Sequence, residues 1–326
     1  MTSRRSFLTT LAAAGVLPWV RMAHAEPGFP SKVVKIVVPY TPGGAPDLIA
    51  RVLASELGKQ WAQSIVVENK PGAGGSIGTD YVARADGDGY TLLSGGVGTH
   101  AINPVLYKNI RYDPVKDFTH LTLVGNVANM LIANESFPAN NLDELVDLVR
   151  KNPNKFAYGS PGNGTSPHLA GELFCQMTGL KLAHIPYKGS AGALNDLMGG
   201  QIPLAFDNLT ASLPFVKEGK VKVFAVTTSE RSPLLPDVPT FSESGVPGYE
   251  LSAWAGIFAP KGLPPALAAK ISADIGNILQ KPAVKEKLLT LGVQASPNTP
   301  EAFTAFVSNE GAKFRKLADQ ANLQLG

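Results

Sequence analysis

Ser166 and His168 stand two residues apart in "YGSPGNGTSPHL" (158–169), a stretch rich in hydroxyls and glycines with no Lys or Arg. Two kinds of chemistry fit those residue types. One is nucleophilic catalysis, with His168 activating Ser166. The other is anion binding by the free N–H groups of a helix start, aided by the hydroxyls of Ser160, Thr165 and Ser166. Side chains at i and i+2 of a helix do not face each other, which disfavours the first. A helix N-terminus carries roughly half a positive charge and holds a carboxylate without a cation, which favours the second.

Other chemical motifs are weaker. "GAGGSIG" (72–78) contains a G-x-S-x-G, but Lys70 and Pro71 separate it from the preceding strand, and no His follows His184. A nucleophile elbow needs the strand immediately before its serine and, in that fold, a later histidine. Gly72, Gly74 and Gly78 approximate a dinucleotide spacing, yet no suitably placed acid follows the next strand. His100, His120, His168 and His184 are scattered, without the paired spacing of a metal site. Cys175 is the single cysteine, so no intramolecular disulfide forms and a cysteine cluster is excluded. No metal, cofactor or catalytic residue is expected. His100, in "GGVGTHAINP", and Asp207, at the end of "LAFDN", are retained as candidate cleft residues.

The elements that position these residues alternate regularly. "KIVVPY", "SIVVEN" and "GYTLLSG" read as strands, separated by the helical patterns "APDLIARVLASELGKQ" and "GSIGTDYVARA". The order recurs in "KFAYGS", "SPHLAGELFCQMTG", "KLAHIPY", "SAGALNDLMGG" and "QIPLAFDN". Ser166 and Ser190 are expected to be N-caps, with Pro167 in the first turn and Gly199 closing the second helix. Each βαβαβ unit ends its first strand in a Gly-rich turn, "YTPGGAPD" and "GSPGNGTSPH". In open α/β sheets, ligands bind beyond the carboxyl ends of the strands. The fold class is therefore α/β with two lobes. Each is expected to be a mostly parallel sheet flanked by helices, with two crossover segments near 121–127 and 250–256. The C-terminal helices should pack on lobe one. The expected organisation is 26–124 plus 252–326 for lobe one and 125–251 for lobe two.

The first 25 residues are set apart. "SRRSFL" is a twin-arginine export signature, an apolar run follows, and "AHA" ends in a small-x-small site with cleavage expected after Ala25. The apolar run is shorter than the roughly 20 residues of a membrane span. Removing this segment takes basic residues from 29 to 26, equal to the 26 acids. A neutral mature chain gives no reason to expect nucleic acid or an anionic membrane face as a partner. The expected location is the periplasm.

Taken together, the blocks "VPYTPGGAPDLIAR", "VENKPGAGGSIGTDYVARADGDGYTLL", "HIPYKGSAGALNDLMGGQIPLAFDN", "LPDVPTFSESGVPGYE" and "WAGIFAPKGLP" resemble the Bug-type periplasmic solute receptors of tripartite tricarboxylate transporters. They span almost the whole mature chain. The resemblance implies a two-lobed periplasmic-binding-protein fold that closes over a small carboxylate and delivers it to membrane transporter subunits. It places one carboxylate on the turn Ser160, Gly164, Thr165 and Ser166, beside His168. It brings the turn Thr41, Pro42, Gly43 and Gly44 to the same carboxylate largely through water, with Asp47 stabilising that turn. It assigns Gly96, Thr99, His100, Tyr187 and Asp207 to the distal part of the ligand. Thr41 departs from a frequent Pro, as do Gly87 and Gly192. The expected receptor is a monomer and not an enzyme. The alternatives are a Tat-exported enzyme with a bound cofactor and a receptor coupled to a sensor kinase.

Overall fold

A computed structural model describes residues 28–321, so the export signal expected at 1–25 lies outside the described residues. The chain opens with β1 (Val34–Val38), α1 (Ala45–Trp61), β2 (Ile65–Asn69), α2 (Ser76–Ala83) and β3 (Thr91–Gly96). A π-helical turn, Gly98–Ile102, leads into the short α3 (Asn103–Leu106) and then β4 (Phe118–Val127). Next come β5 (Asn129–Asn134), α4 (Leu142–Lys151), β6 (Ala157–Ser160), α5 (Ser166–Thr178), β7 (Ala183–Pro186) and α6 (Ser190–Met198). The order continues with β8 (Leu204–Asn208), α7 (Leu209–Lys217), β9 (Val221–Val226) and β10 (Ala253–Pro260). It ends with α8 (Pro265–Gln280), α9 (Pro282–Thr290), β11 (Val293–Ala295) and α10 (Pro300–Ala321).

Two sheets result, ordered β11-β4-β10-β3-β1-β2 and β7-β6-β8-β5-β9. The strands of each βαβαβ unit are parallel, as the alternation predicts. The sheets as wholes are mixed, because β10 pairs antiparallel with β3 and β4, and β5 antiparallel with β8 and β9. The cause is the route of the chain. β5 and β10 each arrive from the other sheet and enter where the parallel strands end, Asn129 opposite Asn208 and Ala255 opposite Gly96. A strand entering at that edge must run back against its neighbours. The passage from β4 to β5 takes one residue, Ala128. The return to β10 is tied by Leu251 N–H donating to Thr227 O at 2.9 Å.

The larger sheet is covered by helices whose apolar faces follow a 3.6-residue period. α1 buries Ile49, Val52, Leu53 and Leu57 in one stripe against Val34, Ile36 and Val38. Each such side chain stabilises by roughly 1.5–3 kcal/mol. α8 and α10 pack on β4. A separate apolar cluster, including Met130, Ile132, Leu194, Leu197 and Leu209, fills the other side of the smaller sheet.

Two expected caps differ. Thr165, not Ser166, is the N-cap of α5, and Ser166 is its first helical residue. Gly189 precedes α6 at φ 137°, and Ser190 is its first residue. Both serine hydroxyls donate instead to buried side-chain acceptors, Ser166 to Asn129 Oδ1 (3.3 Å) and Ser190 to Asp207 Oδ1 (2.8 Å). A buried acceptor left unpaired costs more than a helix N–H that water can reach. At the other end of α6, Gly199 stays right-handed and Gly200 adopts φ 71°. β5, α4 and α7 lie outside the expected pattern. α4 begins with a reciprocal cap, in which Glu144 N–H donates to Asn141 Oδ1 (2.9 Å) and Asn141 Nδ2 to Glu144 Oε1 (2.9 Å).

Candidate ligand-binding cleft

A cavity of about 600 Å³ lies between the carboxyl ends of the two parallel units. Its wall is mostly carbon and backbone, with Lys188 the only charged side chain on it among the described residues. The lobes touch beside the cavity. Tyr107 Oη donates to Asn163 O at 3.3 Å, and Thr41 Oγ1 sits where a side chain at Gly189 would be. Gly74 faces Asn163 O so closely that no Cβ fits between them. This is a closed arrangement.

The first turn joins β1 to α1. Thr41 and Gly44 reach the cavity wall, while Pro42, Gly43 and Asp47 do not. Asp47 is 2% exposed and braces the turn from behind. Its Oδ2 accepts from Gly43 N–H and Arg51 Nε, each at 3.0 Å, and its Oδ1 from Arg51 Nη2 and Asn69 Nδ2, each at 3.0 Å. Burial alone would raise the Asp47 pKa, but Arg51, Gly43 and Asn69 together hold it below the ordinary carboxylate value. Gly43 adopts φ 92°, which suits a glycine.

The second turn joins β6 to α5. Thr165 and Ser166 line the cavity, and Ser160, Gly164 and His168 lie behind them. Ser160 Oγ accepts from Gly162 N–H at 3.2 Å and meets His184 Nε2 at 2.7 Å. Gly164 N–H donates to His168 Nδ1 at 3.3 Å, and the His168 ring stacks on His184 with centroids 4.2 Å apart. Burial lowers His168 to about 3, with His184 adding to the shift, and burial lowers His184 to about 4. Both imidazoles are therefore neutral near pH 7. The His168 ring supports the turn as an acceptor and brings no positive charge to it. The α5 N-terminus, with Thr165, Ser166 and Pro167 on the wall, faces the cavity with its partial positive charge.

The family model for the tripartite tricarboxylate transporter family receptor matches residues 49–323. The chain belongs to that receptor family. BugT of Bordetella pertussis is 35% identical over 298 residues, covering 91% of each chain. A Rhodopseudomonas palustris protein solved with adipate superposes with a TM-score of 0.89 at 36% identity, covering 91% of this chain and 99% of the other. The periplasmic binding protein BugD superposes at 0.87 with 39% identity and the same coverages. Family and fold are those of periplasmic solute-binding receptors.

In this receptor several expected distal residues stand back from the cavity. Gly96 and Tyr187 are on the wall. Thr99 and His100 are not, because they are taken up by the core. The His100 ring stacks on Phe258 at 3.7 Å, packs edge-on to Phe118, and bonds through Nδ1 to Thr99 Oγ1 at 2.8 Å. Burial, then His120, holds the His100 pKa well below its usual value. Asp207 is fully buried behind Ser190 and Asn208, which occupy the wall in its place. Its Oδ1 accepts from Ser190 Oγ at 2.8 Å and Asn208 N–H at 2.7 Å, and burial raises its pKa to about 7.

Sequence reasoning missed Tyr40, Tyr107, Lys188, Ser190, Asn208 and Trp254 as wall residues. Tyr40 and Asn208 carried a usable signal, since each ends or follows a strand at the carboxyl edge. Trp254 gave none, because only the entry point of β10 brings it to the cavity.

Proposed function

We propose that this receptor captures a small organic carboxylate in the inter-lobe cavity and delivers it to a membrane transporter of the tripartite tricarboxylate type. One observation carries the reading: the N-terminus of α5, with Thr165 and Ser166, opens into the inter-lobe cavity opposite the first-lobe turn. Neutral donors in a site of low dielectric bind an anion without the desolvation cost of a buried Lys or Arg. Residues 26–124 and 252–326 move as one body against 125–251, hinged at the two crossings. Ligand favours the closed form in proportion to its extra contacts there. Export by the twin-arginine route with cleavage after Ala25 places the chain in the periplasm.

The experiment is a thermal-shift and calorimetry screen with adipate, L-malate, benzoate, nicotinate, L-aspartate and citrate. At least one acid is expected to raise the melting temperature, and its primary amide is expected to fail. Equal binding of acid and amide, or no binding of any acid, contradicts the proposal.

A further inference from the structure

Four aromatic side chains stand on the cavity wall, and three have their polar atom committed to the protein. Tyr107 Oη donates to Asn163 O, Tyr187 Oη to Asp196 Oδ2 at 2.7 Å, and Trp254 Nε1 to Glu310 Oε2 at 3.0 Å. These three show the ligand mainly carbon. Tyr40 differs. Its hydroxyl makes no hydrogen bond to any described residue, although the ring is half-buried at the end of β1.

The surroundings fix where that hydroxyl lies. A Cβ at Gly75 would sit 3.0 Å from the Tyr40 ring, and one at Gly98 would sit 2.6 Å from Tyr40 Oη. The same point at Gly98 is 3.2 Å from Gly164 O, in the second-lobe turn. The two glycines therefore leave the room the phenol occupies. Its oxygen borders the gap across which lobe one meets the turn leading into Thr165 and Ser166.

We propose that Tyr40 Oη is the direct hydrogen-bond donor from lobe one to the carboxylate held at the N-terminus of α5. This rests on the carboxylate reading of the cavity and adds to it a specificity residue on the opposite lobe. The hydroxyl borders the cavity and no described residue takes it, so it can donate to a ligand, and an anionic acceptor is its strongest partner. Burial, then the neighbouring Tyr107, raises the Tyr40 pKa far above its ordinary value, so the hydroxyl keeps its proton at every physiological pH. The contact forms only when the lobes are closed on a ligand, so it favours closure over an acid more than closure over an uncharged analogue.

The test is Tyr40→Phe, read by calorimetry with the acid that binds wild type most tightly among adipate, L-malate, benzoate, nicotinate, L-aspartate and citrate. A bond to a charged acceptor predicts an affinity loss of about ten- to a hundredfold. The melting temperature of the unliganded variant should stay level or rise, because no internal hydrogen bond is removed. Unchanged affinity overturns the role of Tyr40 and leaves the carboxylate reading standing. A lowered unliganded melting temperature also overturns it, since the hydroxyl would then serve the fold. Failure of all six acids to bind wild type counts against the carboxylate reading, and the Tyr40 contact falls with it.

Discussion

Ser166 has a hydroxyl that already donates to Asn129 Oδ1, at 3.3 Å. To serve a carboxylate it must turn toward the cavity. Asn129 Oδ1 keeps a partner when it does, since Asn208 Nδ2 also donates to it. The exchange is therefore inexpensive. Ser166→Ala is expected to weaken carboxylate binding by about 1–2 kcal/mol, with little change in unliganded stability. Calorimetry on the variant checks this, and unchanged affinity would remove Ser166 from the site. Asp207 supplies a prediction of the opposite kind. Its pKa of about 7 in the fold exceeds the ordinary Asp value of 3.8. Between those values the folded state binds more protons than the unfolded one, so this group's contribution to stability falls as pH rises from 4 to 7. His120, His168 and His184 have lowered values and act in the other direction. The comparison must therefore be a difference between proteins. Asp207→Asn should gain melting temperature relative to wild type as pH rises from 4 to 8, and a flat difference would contradict the buried carboxyl.

The turns are the elements in which sequence and structure agree best. "TPGGAPD" and "GSPGNGTSPH" announce strand-to-helix turns through their glycines and prolines, and both open on one cavity. The two parallel βαβαβ units were equally legible, because buried strands and 3.6-residue helices leave different periods. What stayed hidden was the side of each wall a residue takes. Asp207 is next to the wall residue Asn208 in the chain and His100 is two residues from Gly98, yet Phe258 packs on His100 and Ser190 covers Asp207. Asn141 and Glu144 did carry a local cap signal for α4, and β5 was hidden because β4 runs through Gly125 and Asn126 to within one residue of it. At this scale Asp47 is the sharpest probe. It touches no cavity surface but ties Gly43, Arg51 and Asn69 together. Asp47→Ala should lower stability by about 2 kcal/mol, measured by denaturant unfolding, and weaken ligand binding through the loosened turn. Full stability in that variant would show that the turn holds without its brace.

Closure belongs to the whole molecule. Gly74 lies in lobe one with φ 62°, and a Cβ there would strike the Asn163 carbonyl of lobe two. Backbone strain in Gly74→Ala, about 1–2 kcal/mol, is present whether the lobes are open or closed. The collision with Asn163 arises only on closing. The variant is therefore expected to lose ligand affinity by more than its backbone strain can explain. Small-angle scattering should find it more open than wild type when a ligand is added. Wild-type affinity in Gly74→Ala would mean that the two lobes do not meet there in the bound state.

In the proposed complex, backbone N–H groups and hydroxyls at the start of α5 hold a carboxylate without a cation. A crystal structure of the receptor with its tightest-binding acid tests this most directly. The predicted result is a carboxylate within hydrogen-bonding distance of the first-turn amides of α5 and the hydroxyls of Thr165 or Ser166. A carboxylate paired instead with Lys188, or an acid bound outside the cavity, would contradict the account.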